Sequence, residues 1–229
     1  MSATTPTSVS HKPRWWARLT SLLHWMHRPT RRRDKPLPTP PAVPAHLLDD
    51  EVQLEGDGFG IMLGRRYVLA MHSTMKPEEL MRHIHEHLVE LSPDELAAFT
   101  KTTGSTTKLE PGDEFAITIL GPWNGRVRVI EVTPTAFTFV TLRGHPEAGR
   151  IRFAVDDHKG VLRATVTSWA RCRDAVVDMG YDKLGLGKGL QTTTWATFLE
   201  RVAALVGARQ IGDVDVSEQH LDDMQRESA

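Results

Sequence analysis

Five short segments with alternating apolar residues follow one another after Gly112, and they constrain the fold more than any other feature of the sequence. In each segment apolar side chains recur at every second position, which is the period of a half-buried β-strand. The alternating residues are Phe115, Ile117 and Ile119; Val127 and Val129; Phe137 and Phe139; Ile151 and Phe153; and Leu162, Ala164 and Val166. Turn-forming residues separate the segments, so the pattern predicts an antiparallel meander.

A polar, turn-rich loop joins the third and fourth of these strands, within the segment GHPEAGRIRF from Gly144 to Phe153. His145 and Glu147 lie in this loop, and a carboxylate two residues from an imidazole could orient it for acid–base chemistry or for anchoring a ligand. In the plainer interpretation, both side chains bond to the backbone and fix the turn. We favour the plainer interpretation because no third catalytic partner is evident.

Helices are predicted on both sides of the meander. A first strand alternates through Tyr67, Leu69 and Met71 and is followed by a helix over 75–91. Ser92-Pro93 then predicts a second helix, with serine at the N-cap and proline at the first helical position. A last helix is predicted over 184–206. Its apolar stripe should pack against the sheet, and it consists of Trp195, Phe198, Leu199, Val202 and Leu205.

The motifs resemble those of a known family. GHPEAGRIRF, the upstream GPWNGRVRVIEV and the downstream SWAR of Ser168 to Arg171 are similar in order and spacing to the family named domain of unknown function 1990. The family is common in actinobacteria and plants, and the resemblance runs from about Gly58 to Ala208. It implies an α+β fold of the helix-grip type, as in START domains and pollen-allergen relatives, with an antiparallel sheet wrapped around a long C-terminal helix and often an apolar cavity. It implies no established activity. Many members carry a second acidic residue just after the glycine of the motif, where this chain has Arg150, and this counts against schemes that need paired carboxylates.

On this basis we expect a binding module that holds a hydrophobic small molecule or lipid between the sheet and the C-terminal helix. The candidate lining consists of Tyr67, Phe115, Ile117, Phe137, Phe139, Phe153, Trp195, Phe198 and Leu199. The alternative is an enzyme of the cyclase or hydrolase type that uses the same cavity, with His145, Glu147 or Arg152 as acid, base or anchor. A third class, a protein-interaction domain without a cavity, is expected if large side chains fill the space under the helix.

Three arginines, Arg128, Arg152 and Arg163, alternate with the apolar residues of the strands. We expect them on the solvent face of the sheet. If they pointed inward, they would suit a carboxylate or a phosphate headgroup.

Two further patterns are weak matches to metal and nucleotide sites. His83 and His87 are four residues apart and share a helical face with Glu79 and Glu90, but HIHEH is not HExxH and a solvated polar face has the same composition. The glycine-rich LGLGKG is not a P-loop, because its lysine is followed by Gly189 and not by serine or threonine. We therefore expect neither a metal nor a cofactor.

Charge is distributed unevenly along the chain. The net charge is −1, yet residues 1–33 carry seven Lys or Arg and no acidic residue. Cys172 is the only cysteine, so no intrachain disulfide can form, and a reducing, cytoplasmic compartment is expected.

The N-terminal segment 12–28 has the pattern of an amphipathic helix at a membrane surface. Its apolar residues fall on one side at helical spacing, and they are Trp15, Trp16, Leu19, Leu22, Leu23 and Met26. Neighbouring cations would meet an anionic membrane at its inner face, although the apolar run is too short to span a bilayer. Alternatively, the segment caps the folded domain or is a transit peptide. Nucleic-acid binding is ranked last because the rest of the chain is acidic.

The predicted organisation has three parts. Residues 1–45 form a disordered basic tail that ends in a proline-rich linker over 36–44. Residues 46–209 form one helix-grip domain, and residues 210–229 form a disordered acidic tail. The sequence predicts no oligomeric state.

Overall fold

The computed structural model describes residues 36–94, 96–105, 108–119, 124–177 and 186–221, with the backbone alone described for residues 186–188. The predicted membrane-contact residues Trp15, Trp16, Leu19, Leu22, Leu23 and Met26 lie outside the described residues. Their contact with a membrane therefore stays a prediction. Within the described part of the chain, no helix has the length and apolar character needed to cross a membrane.

Ten strands of the described chain form a single antiparallel sheet. They are β1 (Val52–Gln53), β2 (Phe59–His72), β3 (Ala97–Thr103), β4 (Glu114–Ile119), β5 (Asn124–Thr133), β6 (Ala136–Leu142), β7 (Glu147–His158), β8 (Val161–Cys172), β9 (Arg209–Gln210) and β10 (Asp215–His220). The order across the sheet is β10-β2-β8-β7-β6-β5-β4-β3, and β1 and β9 pair with the ends of β6 and β2. The five predicted strands of the meander are β4 to β8, each paired with the next along the chain. The predicted meander is thus confirmed.

Three helices cover one face of the sheet, which we call the inner face. They are α1 (Pro77–Glu86), α2 (Leu88–Leu91) and α3 (Leu186–Leu205). Short 3-10 turns occur at Ala45–Leu47 and Glu55–Asp57. Helix α1 begins where the sequence favours it, with proline in the first turn and two glutamates near its N-terminus. Helix α3 packs on β2 and β8, which confirms the antiparallel sheet with a long C-terminal helix.

The core lies between the inner face and the helices. Alternation places Tyr67, Leu69 and Met71 of β2 inward, and all three are fully buried. On α3, Phe198, Leu199 and Val202 of the predicted stripe are buried, Trp195 is partly buried, and Leu205 is 40% exposed. Because each buried large side chain contributes about 1.5–3 kcal/mol, this layer is the main source of stability.

The opposite, outer face of the sheet is covered in part by residues 36–57. Val52 packs with Ile130, Val140 and Leu142 in a second apolar cluster, and partly buried Val43, Leu47 and Leu54 pack against it. Trp169 Nε1 donates a hydrogen bond to the Pro38 carbonyl at 2.9 Å. The proline-rich segment 36–44, predicted to be a linker outside the domain, therefore packs on the fold from residue 37 onward, where the Leu37 N–H donates to the Gln219 side chain at 3.3 Å.

Two other predictions are wrong. The residues described after Ser92-Pro93 form no helix; Ser92 ends α2, and the chain enters β3 at Ala97, which pairs with Ile119 of β4. The start of the predicted acidic tail is not disordered, because Asp215–His220 is a strand that pairs with β2. The helix predicted over 75–91 is present, but it is divided at His87 between α1 and α2.

Candidate functional site

A cavity of about 90 Å³ lies between the N-terminal half of α3 and the inner face of the sheet. Its walls are mostly apolar. They are formed by Leu96, Ala97, Phe99, Ile117, Ile119, Val127, Phe139, Gly149, Ile151, Ala170, Leu190 and Trp195, with Arg150 also in contact. Polar side chains lie at the end where β6 meets β7, and they are Thr141, His145, Glu147, Ser168, Gln191 and Thr194. We call these six residues the polar end.

The β6–β7 loop builds the polar end because its backbone is held from several sides. The Gln53 side-chain amide donates to the carbonyls of His145 at 3.2 Å and Glu147 at 2.8 Å. The Arg173 guanidinium donates to the Gly144 carbonyl at 3.0 Å, and the Arg173 backbone N–H donates to Pro146 O at 2.8 Å. The backbone of the loop is therefore held by hydrogen bonds from Gln53 of β1 and from Arg173, the residue after β8.

Gly149 and Gly125 allow close approaches that a larger residue would block. Gly149 has φ = +154°, and a Cβ there would overlap the Trp169 carbonyl oxygen and lie 2.8 Å from the Ala170 Cα. A Cβ at Gly125 would overlap the ring of His145. The imidazole thus lies directly over the backbone of β5.

His145 is 7% exposed, and its Nδ1 lies 3.0 Å from both the backbone nitrogen and the carbonyl oxygen of Glu147. A neutral ring with its hydrogen on Nε2 accepts the Glu147 N–H at Nδ1, whereas a ring with its hydrogen on Nδ1 donates to the Glu147 carbonyl. Burial lowers the pKa of His145 from 6.5 to about 4, and the Arg173 charge adds to this effect. His145 is therefore uncharged near neutral pH.

The Glu147 side chain, 18% exposed, is the acidic group of the polar end. Its Oε1 accepts a hydrogen bond from the Gln191 amide, whose oxygen in turn accepts one from Arg65. Arg65 Nη1 lies 3.9 Å from Glu147 Oε1, and Arg65 Nε donates to Glu218 of β10 at 2.9 Å. Burial raises the pKa of Glu147, and Arg65 and Gln191 partly offset that rise. Tyr67, next along the inner face of β2, is fully buried, and burial raises its pKa to about 12.

The structure brings His145 and Glu147 into the cavity together, as a catalytic or anchoring pair requires. The contact that joins them runs from imidazole to backbone, however, so the Glu147 carboxylate does not orient the His145 ring. This is the turn-fixing role that we favoured for His145. Arg152 lies on the outer face, 3.2 Å from Glu131, and is not among the residues that line the cavity.

The other two of the three arginines considered above, Arg128 and Arg163, also form ion pairs away from the cavity. Arg128 pairs with Glu114 at 2.7 Å, and Arg163 pairs with Asp156. All three arginines lie on the outer face, so the inward alternative is wrong. Arg152 and Arg163 are partly exposed there, whereas Arg128 is 11% exposed because it bonds to the Leu47 carbonyl and to Asp49.

Of the nine predicted lining residues, Ile117, Phe139 and Trp195 line the cavity. The other six are packed core, and they are Tyr67, Phe115, Phe137, Phe153, Phe198 and Leu199. The aromatic rings among them fill most of the space in which the sequence predicted a cavity. Phe137 stacks on Phe153 with centroids 4.6 Å apart, and Phe153 lies 5.2 Å from Phe198. The aromatic cluster fills the space beneath the rest of α3, so the cavity is confined to the helix's N-terminal half.

Sequence reasoning missed Arg65 and Gln191. A signal for each was present. Arg65 has the same parity as Tyr67, Leu69 and Met71 and so belongs to the inner face of β2. Gln191 precedes Trp195 by four residues and shares its side of α3.

The helical histidines also come close to acidic groups. Ligand atoms of His83, Glu86 and His87 lie within 4.8 Å of one another, whereas Glu79 is not part of the group. Glu86 also pairs with Arg82 at 2.9 Å, and His87 Nδ1 lies 2.8 Å from Glu90. Ordinary surface ion pairs account for this arrangement.

The buried, uncharged state of His145 makes stability depend on pH. The unfolded chain protonates this ring below its ordinary pKa of 6.5, while the folded chain does so only near 4. The stability that His145 contributes is therefore complete above pH 6.5 and is lost as the pH falls toward 4. The raised pKa of Glu147 acts in the opposite sense, because the folded state then binds its proton more tightly than the unfolded state does.

A His145→Asn variant isolates the pH dependence that His145 causes. The asparagine has no titratable ring, and its side-chain oxygen can accept the Glu147 N–H in place of Nδ1. Between neutral pH and about pH 5, we expect wild type to lose about 2 kcal/mol more of its free energy of unfolding than the variant does. Urea unfolding at the two pH values measures this difference, with the exposed His158→Asn as control. Equal losses in wild type and His145→Asn would show that His145 is not held uncharged by burial.

The family model described as Domain of unknown function (DUF1990) matches residues 70–200. No curated protein matches the chain. Among solved structures, a Thermobifida fusca protein shares 13% identity over 62% of this chain and 94% of its own, with a TM-score of 0.43. A conserved Geobacillus kaustophilus protein shares 13% identity over 65% of this chain and 99% of its own, with a TM-score of 0.42. A norcoclaurine synthase mutant from Thalictrum flavum shares 11% identity over 63% of this chain and 96% of its own, also with a TM-score of 0.42.

Proposed function

The chain belongs to the family described as Domain of unknown function (DUF1990), and we propose that it is a binding module whose cavity under α3 holds a small, largely apolar molecule. The observation that carries this proposal is the form of the cavity: apolar walls on most sides, with polar groups gathered at one end. Binding sites for small molecules commonly combine an apolar lining with a few placed polar groups.

The size of the cavity limits the ligand. One water molecule needs about 15 Å³ of such volume, and sites for drug-sized ligands measure roughly 300 Å³ or more. A cavity of about 90 Å³ therefore suits a small organic molecule and not an extended acyl chain. We accordingly narrow the expected hydrophobic ligand or lipid to a compact molecule of a few carbons.

A cavity-filling substitution tests the proposal. Ala170→Leu adds three carbons to the cavity wall, and we expect it to abolish binding of cyclopentanol, a compact probe with one hydroxyl group. Ala154→Leu makes the same change at a β7 position whose neighbours, Phe153 and Val155, point inward, so its side chain points to the outer face. We expect this control to bind the probe as wild type does.

Isothermal titration calorimetry of the full chain measures both affinities, and far-UV circular dichroism confirms that both variants are folded. If folded Ala170→Leu bound cyclopentanol as tightly as wild type, the cavity would not be the binding site.

A second candidate function is supported by a specific observation. Two titratable groups, His145 and Glu147, line the same cavity, and burial raises the pKa of Glu147 toward the range useful for proton transfer. We propose, as the alternative, an enzyme that moves a proton within this cavity with Glu147 as the acid or base. Catalysis would require Glu147→Gln to abolish turnover of a ligand that it still binds, whereas a binding module would show no turnover in either form.

A further inference from the structure

A row of residues crosses the outer face of the sheet, with one residue from each of five neighbouring strands. Each residue pairs directly with the next, and they are Gln219 of β10, Gly64 of β2, Trp169 of β8, Arg150 of β7 and Val140 of β6. We call these five residues the cross-strand row. We infer that the row is a recognition site for a proline-rich peptide of a partner protein, and that the chain's own residues 37–43 occupy it until such a peptide displaces them.

Residues 37–43 run across this row from one end to the other. At the β10 end, the Leu37 N–H donates to the Gln219 side chain at 3.3 Å, and the Leu37 side chain fills space that a Cβ at Gly64 would need. At the β6 end, Val43 packs against the apolar cluster that contains Val140. The segment therefore lies across the strands, with its leucine and its valine held at opposite ends of the row.

Side-chain donors in the middle of the row bond to the backbone of the segment. Trp169 Nε1 donates to the Pro38 carbonyl at 2.9 Å, and Arg150 Nη1 donates to the Pro41 carbonyl at 2.6 Å. The fold holds both donors in place, because Trp169 is 1% exposed and Arg150 makes two hydrogen bonds to Glu55, at 2.8 and 2.7 Å. Since both acceptors are carbonyl oxygens, these contacts recognise the course of the backbone, and another peptide of the same conformation can make them.

The exposure of the segment follows the period of a polyproline II helix, which has three residues per turn. The exposed residues are three apart, and they are Pro36, Thr39 and Ala42. The residue after each of these is partly buried, and these residues are Leu37, Pro40 and Val43. Pro38 and Pro41 are also one turn apart, so their carbonyls point to the same side of the helix.

The length of the segment matches the width of the row. From Leu37 to Val43, six steps of a polyproline II helix rise about 19 Å. From β10 to β6, four spacings between paired strands also measure about 19 Å. A polyproline II peptide thus reaches from one end of the row to the other in seven residues, and its preformed conformation lowers the entropic cost of binding.

The segment can leave the row without breaking the sheet, because residues 36–44 belong to none of its strands. Its covalent connection to the domain gives it an effective concentration on the order of 1 mM at the row. A partner peptide must therefore bind more tightly than the chain's own segment does. The peptide that fits carries two apolar residues six positions apart, with prolines between them.

Fluorescence anisotropy of a labelled peptide PLPTPPAVP, the sequence of residues 36–44, tests the inference on the full chain. A Leu37→Ser/Val43→Ser double variant removes the apolar contacts of the chain's own segment and leaves the row intact. We expect this variant to bind the peptide at least about tenfold more tightly than wild type does, because the competing segment is weakened. A second peptide, with its leucine and the following proline exchanged, has its apolar residues five positions apart and should bind at least about tenfold more weakly.

Two further substitutions in the double variant locate the binding site. Trp169→Phe keeps an aromatic ring but removes the Nε1 donor, so affinity for the first peptide should fall about fivefold. Arg163→Gln is the matched control, because Arg163 pairs with Asp156 on the outer face but lies outside the row. We expect it to leave the affinity unchanged, and far-UV circular dichroism confirms that each variant is folded.

The inference would be overturned if the folded double variant did not bind the first peptide, or if it bound both peptides equally well. Size-exclusion chromatography separates a partner protein from a second copy of this chain. A wild-type dimer that the peptide converts to a monomer would show that the copies exchange their segments, and a partner protein would then be the wrong occupant. None of these results affects the cavity, which lies on the inner face.

Discussion

Replacing Gly149 by alanine should destabilise the domain by about 3 kcal/mol or more, because the added methyl group collides with the neighbouring strand. Gly149 has φ = +154°, and β7 approaches β8 so closely here that an ideal Cβ would overlap the Trp169 carbonyl oxygen. The clash is with backbone on β8, which cannot rotate away as a flexible side chain could. Two hydrogen bonds between Gly149 and the Thr141 hydroxyl, at 2.9 and 3.3 Å, hold the strand in place. Urea unfolding monitored by tryptophan fluorescence measures the loss.

Gly144→Ala is the control for this prediction. Gly144 also has a positive φ, +93°, but nothing lies within 4 Å of an added Cβ. We expect a cost of about 1 kcal/mol from the backbone conformation alone. If both variants lost the same stability, the close approach of β7 to β8 would not be what requires glycine at position 149.

Replacing Phe153 by alanine should cost about 3–5 kcal/mol, the range for removing a fully buried aromatic ring. Phe153 is 2% exposed and stacks on Phe137 with centroids 4.6 Å apart. Its ring also lies 5.4 Å from Trp195 and 5.2 Å from Phe198, so it joins the sheet to α3. The substitution would leave a void beneath the helix and remove several ring contacts.

Phe59→Ala removes the same ring from a residue that is 50% exposed, and it should cost far less. Both variants can be compared by urea unfolding under the same conditions. A loss for Phe153→Ala as small as that for Phe59→Ala would contradict the packing between sheet and helix described above.

The meander was predictable from the sequence because strand alternation is a local signal. Phe137 and Phe139 fall inward while Val140 falls outward, as the period of two requires. Local signals failed where distant pairing decides the structure. Ser92-Pro93 has the chemistry of a helix start, but the following residues pair with β4, and the Ser92 hydroxyl donates to the Ala97 carbonyl.

The C-terminal strand β10 illustrates the same limit. Acidic composition predicts disorder there, and within β10 the buried apolar residue is Val216, with buried Val214 just before the strand. Pairing with the edge of β2 and the ion pair between Glu218 and Arg65 stabilise this strand, and neither is visible in the local sequence. Because the sequence did not predict β10, it also did not identify Glu218, one of the two carboxylates beside Arg65.

The candidate site was predictable in part. His145 and Glu147 were identified from the turn-rich loop, and both line the cavity. The extent of the cavity was not predictable, because it depends on how the aromatic rings of the core fill the space under α3, which is a matter of packing in three dimensions. An aromatic face in the sequence does not distinguish Phe139, which lines the cavity, from Phe137, which does not.

The most direct measurement of the central claim is a two-dimensional methyl NMR spectrum of the full chain with and without cyclopentanol. We expect shifts at the methyl groups of Ile117, Ile151 and Leu190, which line the cavity, and none at Val140, which is buried on the outer face. Absence of any shift at millimolar probe, or shifts that spread over the outer face and spare the cavity, would contradict the account.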